Sequence, residues 1–368
     1  MTLPAPPRGR DTAVDALRAL ALLPVVAINW VGYASLPDGG PLGAAQPSGS
    51  WLAEAVNWLL AVLVMGKGVS LLAFLFGYSQ SLSRRGREGS QALRHRRRRM
   101  GRLLLLGLLH GLLLYMGDIL TTYALCGLLM LRWSGLRLAQ LRRRLVLLLG
   151  LDLLLSGVLA VALWNSPAMT PAVSLSTPMD WSGWLGSNAY NFLFTQFWSV
   201  LLGLPLPLSL MTAGLMAGRL RLFSHRRWRA GMRRWSRRCL LPALALNLAG
   251  GSAYWWALSG RGDSNSSYLA FYLYPAVLLL SAVVPMLLLG WQAGSAWLGR
   301  LAPAGRHTLS LYLCSSVLSL LLFSGAGLAW QPGTVLLALL ALLYWGGWLW
   351  LAPRLGGRRL PPEAWLAR

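Results

Sequence analysis

The chain has 368 residues, 56% of them hydrophobic and only 12% charged, about half the charged fraction of a soluble domain. It therefore reads as an integral membrane protein. Its net charge of +24 comes from 34 basic residues, all arginine but Lys67. They cluster in short connections between apolar runs, which leaves no aqueous basic surface for nucleic acid. They read instead as determinants of membrane topology that also touch anionic lipid headgroups.

Residues 1–13 form a Pro- and Arg-containing tail, expected in the cytosol. The first span is predicted over Val14–Ala34 and is retained, because Asp15, Arg18 and Asn29 are polar positions that a cleaved leader does not need. The loop Ser35–Ser50 lacks Lys and Arg and is placed outside. From Trp51 to Leu82 the chain is apolar for longer than the roughly 20 residues a span requires. Gly66-Lys67-Gly68 interrupts it, which predicts either a kinked span or an interfacial half-helix followed by a span. Arg84, Arg85 and Arg87 then lie inside.

The stretch from Arg96 to Arg144 organises the chain. Arginine clusters bracket LLLLGLLHGLLLYMGDILTTYALCGLLMLRW, and two apolar runs meet at Gly117-Asp118. This predicts a helical hairpin, spans three and four, with both ends in the cytosol. Span five is predicted over Leu145–Trp164 and contains Asp152. The loop Asn165–Asp180 has no basic residue and is placed outside. The aromatic stretch Trp181–Phe194 suits an outer interface. Span six, Gln196–Leu220, is expected to bend at Pro205 and Pro207. Nine arginines follow between Arg219 and Arg238.

Spans seven and eight are predicted over Cys239–Leu258 and Tyr268–Gly290, joined by the loop Ser259–Ser267 with the external Arg261. Arg300 and Arg306 are inside. Spans nine (His307–Ser324) and ten (Gly333–Ala352) lead to a cytosolic tail, 353–368. The expectation is thus an all-α, multi-pass protein of a bacterial inner membrane. It has about ten spans in a single helical domain, 14–352, and both termini in the cytosol. Cys126, Cys239 and Cys314 read as buried small hydrophobes, and no Cys/His spacing suggests a metal.

Several motifs carry a resemblance. HGLLLYMGDILTTYALCGLLML resembles the signature of the YeiB-like family, bacterial membrane proteins of unknown function. RDTAVDALRALALL is similar to its first-span motif, with Ala19 for the usual Gly. MGKGVSLLAFLFG is similar to its second-span motif, with Met65 for an acid. AGRHTLSLYLCSS is similar to its ninth-span motif, with Leu311 and Ser315 for Asn and Gln. Pro362, Trp365 and Arg368 keep the spacing of its C-terminal region, about 196–368, whereas Glu363 stands one place early. The family is grouped by distant similarity with multi-span acyltransferases that take an acyl group from cytosolic acyl-CoA to an acceptor across the membrane. The resemblance implies the same co-substrate here, with no bound cofactor.

The candidate site residues are the polar groups inside the spans, where ionisable side chains are costly. His110 lies eight residues past Arg102 and Asp152 eight past Arg144, each roughly 12 Å deep. That allows a His–Asp pair in which Asp152 orients the general base His110. The alternative is a histidine satisfied by a backbone carbonyl or a serine. Lys67 and Asp118 share a depth of roughly 24–26 Å. Asp118 either pairs with Lys67 or caps the fourth span. Tyr115 and Thr122, at i−3 and i+4 from Asp118, would complete that polar site.

Asp15 and Arg18 pair at i, i+3. Asn29 either hydrogen-bonds a neighbouring helix or orients an acyl carbonyl. Arg306, His307 and Ser310 stand where a CoA phosphate or lipid headgroup would arrive. Three functions remain open: an acyl-CoA-dependent acyltransferase with His110, Asp152 and Asp118 at its centre; a transporter or flippase using Lys67, Asp118 and His110 as a relay; and a non-catalytic membrane protein.

Overall fold

The computed structural model describes residues 12–34, 50–83, 90–133, 135–163, 175–258 and 296–367, and every regular element among them is helical. The expected eighth span, Arg84, Arg85, Arg87, Arg261, Arg368 and most of the outer loops lie outside the described residues.

Helix α1 (Thr12–Ala34) is the axis of the bundle. Ala16, Leu17, Ala19, Val26, Val31 and Tyr33 are fully buried. Alanines at several turns let neighbours approach closely, which substitutes for a hydrophobic driving force between helices in lipid. Around α1 pack α3 (Lys67–Ser83), α10 (Ala296–Gly305), α11 (Thr308–Phe323) and α12 (Thr334–Leu351).

The interrupted second region is α2 (Trp51–Leu59), a π-turn at Leu60–Val64, and then α3. The break comes at Gly66, whose φ of 72° is a left-handed conformation open to glycine. On its far side α3 meets α8 (Pro205–Arg219) at backbone contact. A side chain at Gly77 would strike the Met211 carbonyl, and one at Gly214 the Phe74 carbonyl.

The arginine clusters belong to helices. α4 (Ser90–Leu113), α6 (Leu138–Leu163) and α9 (Arg229–Leu258) all begin inside them, earlier than the expected spans. Arginine is a good helix former and its stem can lie along an apolar surface, so charge does not end these helices. α5 (Leu120–Leu131) completes the hairpin.

No break separates the aromatic stretch from the expected sixth span. α7 (Trp181–Trp198) runs across their boundary into the first residues of the span, the chain passes a π-turn at Ser199–Gly203, and it bends by 62° into α8. Pro205 opens the new helix rather than kinking an old one, because its missing N–H is harmless in a first turn. A second bend of 65° separates α10 from α11.

Among the described residues three helices are long and apolar enough to cross a membrane, Thr12–Tyr33, Trp51–Leu82 and Thr334–Leu355, and up to five if each bent pair is one span. Large apolar side chains are exposed along α6 (Val146, Leu147, Leu154), α9 (Leu241, Leu248) and α12 (Leu343, Trp350). Surface of that extent suits lipid better than water. Of the cysteines only Cys126 is buried; Cys239 is half-buried and Cys314 exposed. Cysteine is small and apolar enough to face lipid.

Candidate functional site

The hairpin supplies the first half of the site. α4 stops at Leu113, and its last carbonyls, Gly111 and Leu112, accept hydrogen bonds from the Asn188 amide of α7 at 2.9 and 2.8 Å. These are orphan acceptors that a buried helix end must satisfy. The chain then folds back over 114–119. Asp118 Oδ2 accepts the Thr121 backbone N–H at 2.7 Å, capping the first turn of α5. Its Oδ1 lies 2.9 Å from His110 Nδ1, and both side chains are fully buried.

The second half comes from α11. Ser316 Oγ lies 2.8 Å from His110 Nε2. The Tyr312 ring packs on the imidazole with centroids 4.8 Å apart. Gln196 of α7 donates to the Asp118 carbonyl at 3.1 Å and accepts from Thr122 Oγ1 at 3.4 Å.

A cavity of about 900 Å³ shares Tyr312 with this site as a lining residue. Its lining joins Arg18, Arg96, Arg99, Arg306, Arg358 and Arg359 to Leu22, Leu72, Phe76, Leu103, Ile119, Leu120, Tyr123 and Tyr312, and on α1 and α4 the arginines Arg18 and Arg99 stand one turn before the apolar Leu22 and Leu103. Arg99 is close enough to both Arg18 and Arg359 to feel their charge. The single acid on the wall, among the described residues, is Glu363 of α13 (Pro361–Ala367).

Two expected pairings are corrected. Asp152 does not orient His110, because both imidazole nitrogens are engaged by Asp118 and Ser316. Asp152 is buried on α6, which packs on α8. Equal depth fixes height in a bundle but not azimuth. Lys67 does not pair with Asp118: its ammonium donates to the Ala61 carbonyl at 3.3 Å. The π-turn bends that part of the chain toward Lys67, so a local acceptor serves it. The capping alternative for Asp118 is the one observed.

Other candidates divide. Thr122 joins the polar site through Gln196. Tyr115 does not share a helical face with Asp118, because residues 114–119 are not helical. It stacks on Tyr33 at 5.1 Å instead. The Asn29 amide nitrogen is buried without a hydrogen-bond partner among the described residues. Arg306 and His307 line the cavity. Asp15 lies between Arg18 Nη1, at 3.0 Å, and Arg306 Nε, at 3.9 Å. Ser310 does not wait for a ligand: its N–H and Oγ donate to the two Glu363 carboxylate oxygens at 2.8 and 2.6 Å.

Ser316, Tyr312, Gln196, Asn188 and the arginines Arg99 and Arg359 were not singled out by sequence. Ser316 closes the ninth-span motif AGRHTLSLYLCSS, but a serine within a span normally bonds its own helix, so its type alone carries no signal.

The family model described as a protein of unknown function, DUF418, matches residues 217–354. The chain is also 35% identical over 127 residues to the uncharacterised protein YeiB of Escherichia coli strain K12, which covers 33% of this chain and 30% of that relative. The matched stretch thus spans less than a third of the relative's length. Together the two matches support a YeiB-like family assignment. No solved structure matches the chain.

Proposed function

We propose that this YeiB-like protein is a multi-pass protein of a bacterial inner membrane that binds an acyl-CoA and transfers its acyl group to an extracytoplasmic or lipid-linked acceptor. The observation that carries the reading is the two-ended cavity. Its six arginines match a ligand with several phosphates, and its apolar wall of Leu22, Leu72, Phe76 and Leu103 matches an acyl chain. A topology of about ten spans with both termini cytosolic puts the arginine end on the side where acyl-CoA is found.

His110 is the general base in this reading. Asp118, bonded to Nδ1, fixes the tautomer that presents the Nε2 lone pair, on the side of Ser316, to accept a proton. Arg99 and Arg359 hold phosphate.

The test is a thermal-shift titration of detergent-purified protein with acetyl-CoA and longer acyl-CoAs. A ligand at 100 times its Kd stabilises the folded state by about 2.7 kcal/mol, so a saturable rise in Tm is expected. Arg99→Ala with Arg359→Ala should abolish it. No shift with any thioester, in protein shown to be folded, rejects the reading.

The two bent helix pairs, at 62° and 65°, favour a second reading. Broken helices recur at the binding sites of transporters, and a flippase would use them as moving elements. That reading expects substrate movement in proteoliposomes lacking any CoA thioester.

A further inference from the structure

Serine hydroxyls along α11 mostly return their proton to their own helix. Ser315 donates to the Tyr312 carbonyl at 2.7 Å and Ser319 to the Ser315 carbonyl at 2.9 Å, the ordinary way to satisfy a hydroxyl in an apolar span. Ser316 departs from this habit. The Tyr312 carbonyl lies 3.3 Å from its Oγ, whereas His110 Nε2 lies at 2.8 Å. Ser316 thus has two acceptors in reach, the carbonyl of its own helix and, in the Nδ1–H tautomer, His110 Nε2.

The imidazole is set up to receive the Ser316 proton. Asp118 is held in place by the Thr121 N–H and sits 2.9 Å from His110 Nδ1. A carboxylate there keeps the proton on Nδ1 and presents the Nε2 lone pair to Ser316. A hydroxyl on a base, with that base oriented by a third group, is the arrangement that activates a serine.

We infer that Ser316, His110 and Asp118 form a nucleophile–base–orienter triad and that acyl transfer passes through an acyl-serine at Ser316. This rests on the acyl-CoA reading for its donor. Ser316 Oγ attacks the thioester carbonyl carbon as its proton passes to His110 Nε2. The new C–O bond forms, the C–S bond breaks, and the thiolate leaves with the proton from His110 as CoA-SH. In the second half the acceptor hydroxyl or amine gives its proton to His110 Nε2 and attacks the acyl-serine. The ester C–O bond breaks, and Ser316 recovers its proton.

Tyr312 is the door to this triad. Tyr312 both lines the cavity and packs its ring on the imidazole. His110, Asp118 and Ser316 are buried, so a thioester would reach them only if that side chain turned, and the same burial would shield an acyl-serine from water.

The experiment exposes detergent-purified full-length protein to two probes, acetyl-CoA and an alkyl fluorophosphonate, followed by acid quench and peptide mass spectrometry. The expected result is an acetyl adduct and a phosphonyl adduct on Ser316, both lost in His110→Ala. Ser316→Cys should retain an acetyl adduct, now cleaved by neutral hydroxylamine. Because the adduct is located in the wild-type chain, the result does not depend on whether a variant folds.

If acetyl-CoA stabilises the protein and its acyl group reaches an acceptor, yet Ser316→Ala transfers at the wild-type rate and no adduct forms, the acyl-serine is overturned. Acyl-CoA binding survives that outcome. If fluorophosphonate modifies Ser316 in a His110-dependent way while no thioester binds, the triad stands and the acyl-CoA reading falls. Folded protein modified by neither probe overturns the triad.

Discussion

His110 and Asp118 are eight residues apart and meet at 2.9 Å. Eight residues of continuous helix would separate them by about 12 Å along the axis, so the contact exists only because α4 ends at Leu113 and the chain folds back. Asp118 therefore holds the turn in two ways, through His110 and through the Thr121 N–H. Asp118→Ala leaves both groups buried without an acceptor and should cost about 1–3 kcal/mol, read as a lower Tm in detergent by tryptophan fluorescence. Asp118→Asn keeps an oxygen for the cap and should recover part of the loss. A wild-type Tm for the alanine variant would mean that the contact contributes nothing to the fold.

Lys67 provides the contrasting case. With the Ala61 carbonyl at 3.3 Å as its hydrogen-bond acceptor, its ammonium is a charge in a span with no carboxylate beside it among the described residues, which is costly. Lys67→Met fills similar volume without that cost and should leave Tm unchanged or raise it. Removing one partner of a buried ion pair would instead destabilise the protein by about 3–5 kcal/mol. A large fall in Tm would restore the pairing with Asp118.

Glu363 fastens α13 over the arginine end of the cavity through both donors of Ser310. A carboxylate at the N-terminus of a helix has the favourable sign for its dipole, and loss of such a cap costs about 0.5–2 kcal/mol. Glu363→Gln should leave the bundle's Tm nearly intact while trypsin cuts faster at Arg358 and Arg359. It also removes the acid from a wall that carries six arginines, so phosphate-bearing ligands should bind more tightly. Unchanged proteolysis would show that the Arg102 bond to the Trp365 carbonyl, at 3.1 Å, suffices to dock α13.

These three residues also show what the sequence makes legible. The helical class, the hairpin, the break at Gly66 and the Asp15–Arg18 pair are all local, fixed by hydropathy, by glycine or by a spacing of three. Counting residues assigns a common depth to Asp152 and His110, and to Lys67 and Asp118, but a common depth does not make two residues neighbours. Which helix stands beside which follows from packing, such as the backbone contact of Gly77 and Gly214 between α3 and α8, and hydropathy does not encode it. For that reason the partner of His110 on α11 is absent from any spacing rule. Glu363 in a short helix after a glycine pair looks like an unattached tail until its carboxylate is seen on Ser310.

The cavity's two ends make a separable prediction about ligand binding. Raising ionic strength from about 0.1 to 1 M shortens the screening length from about 10 to 3 Å, so the affinity of CoA for the arginine end should fall steeply. The apolar wall responds to chain length and not to salt. Each methylene it buries contributes about 0.8 kcal/mol, close to fourfold in Kd at 25 °C. Across a series from acetyl-CoA to longer acyl-CoAs, log Kd should fall linearly until the wall formed by Leu22, Leu72, Phe76 and Leu103 is covered, then level off. The salt slope should stay constant along the series and decrease in Arg99→Ala. Affinity independent of chain length would mean that the chain lies outside this wall. Affinity independent of salt would mean that the arginines hold no phosphate.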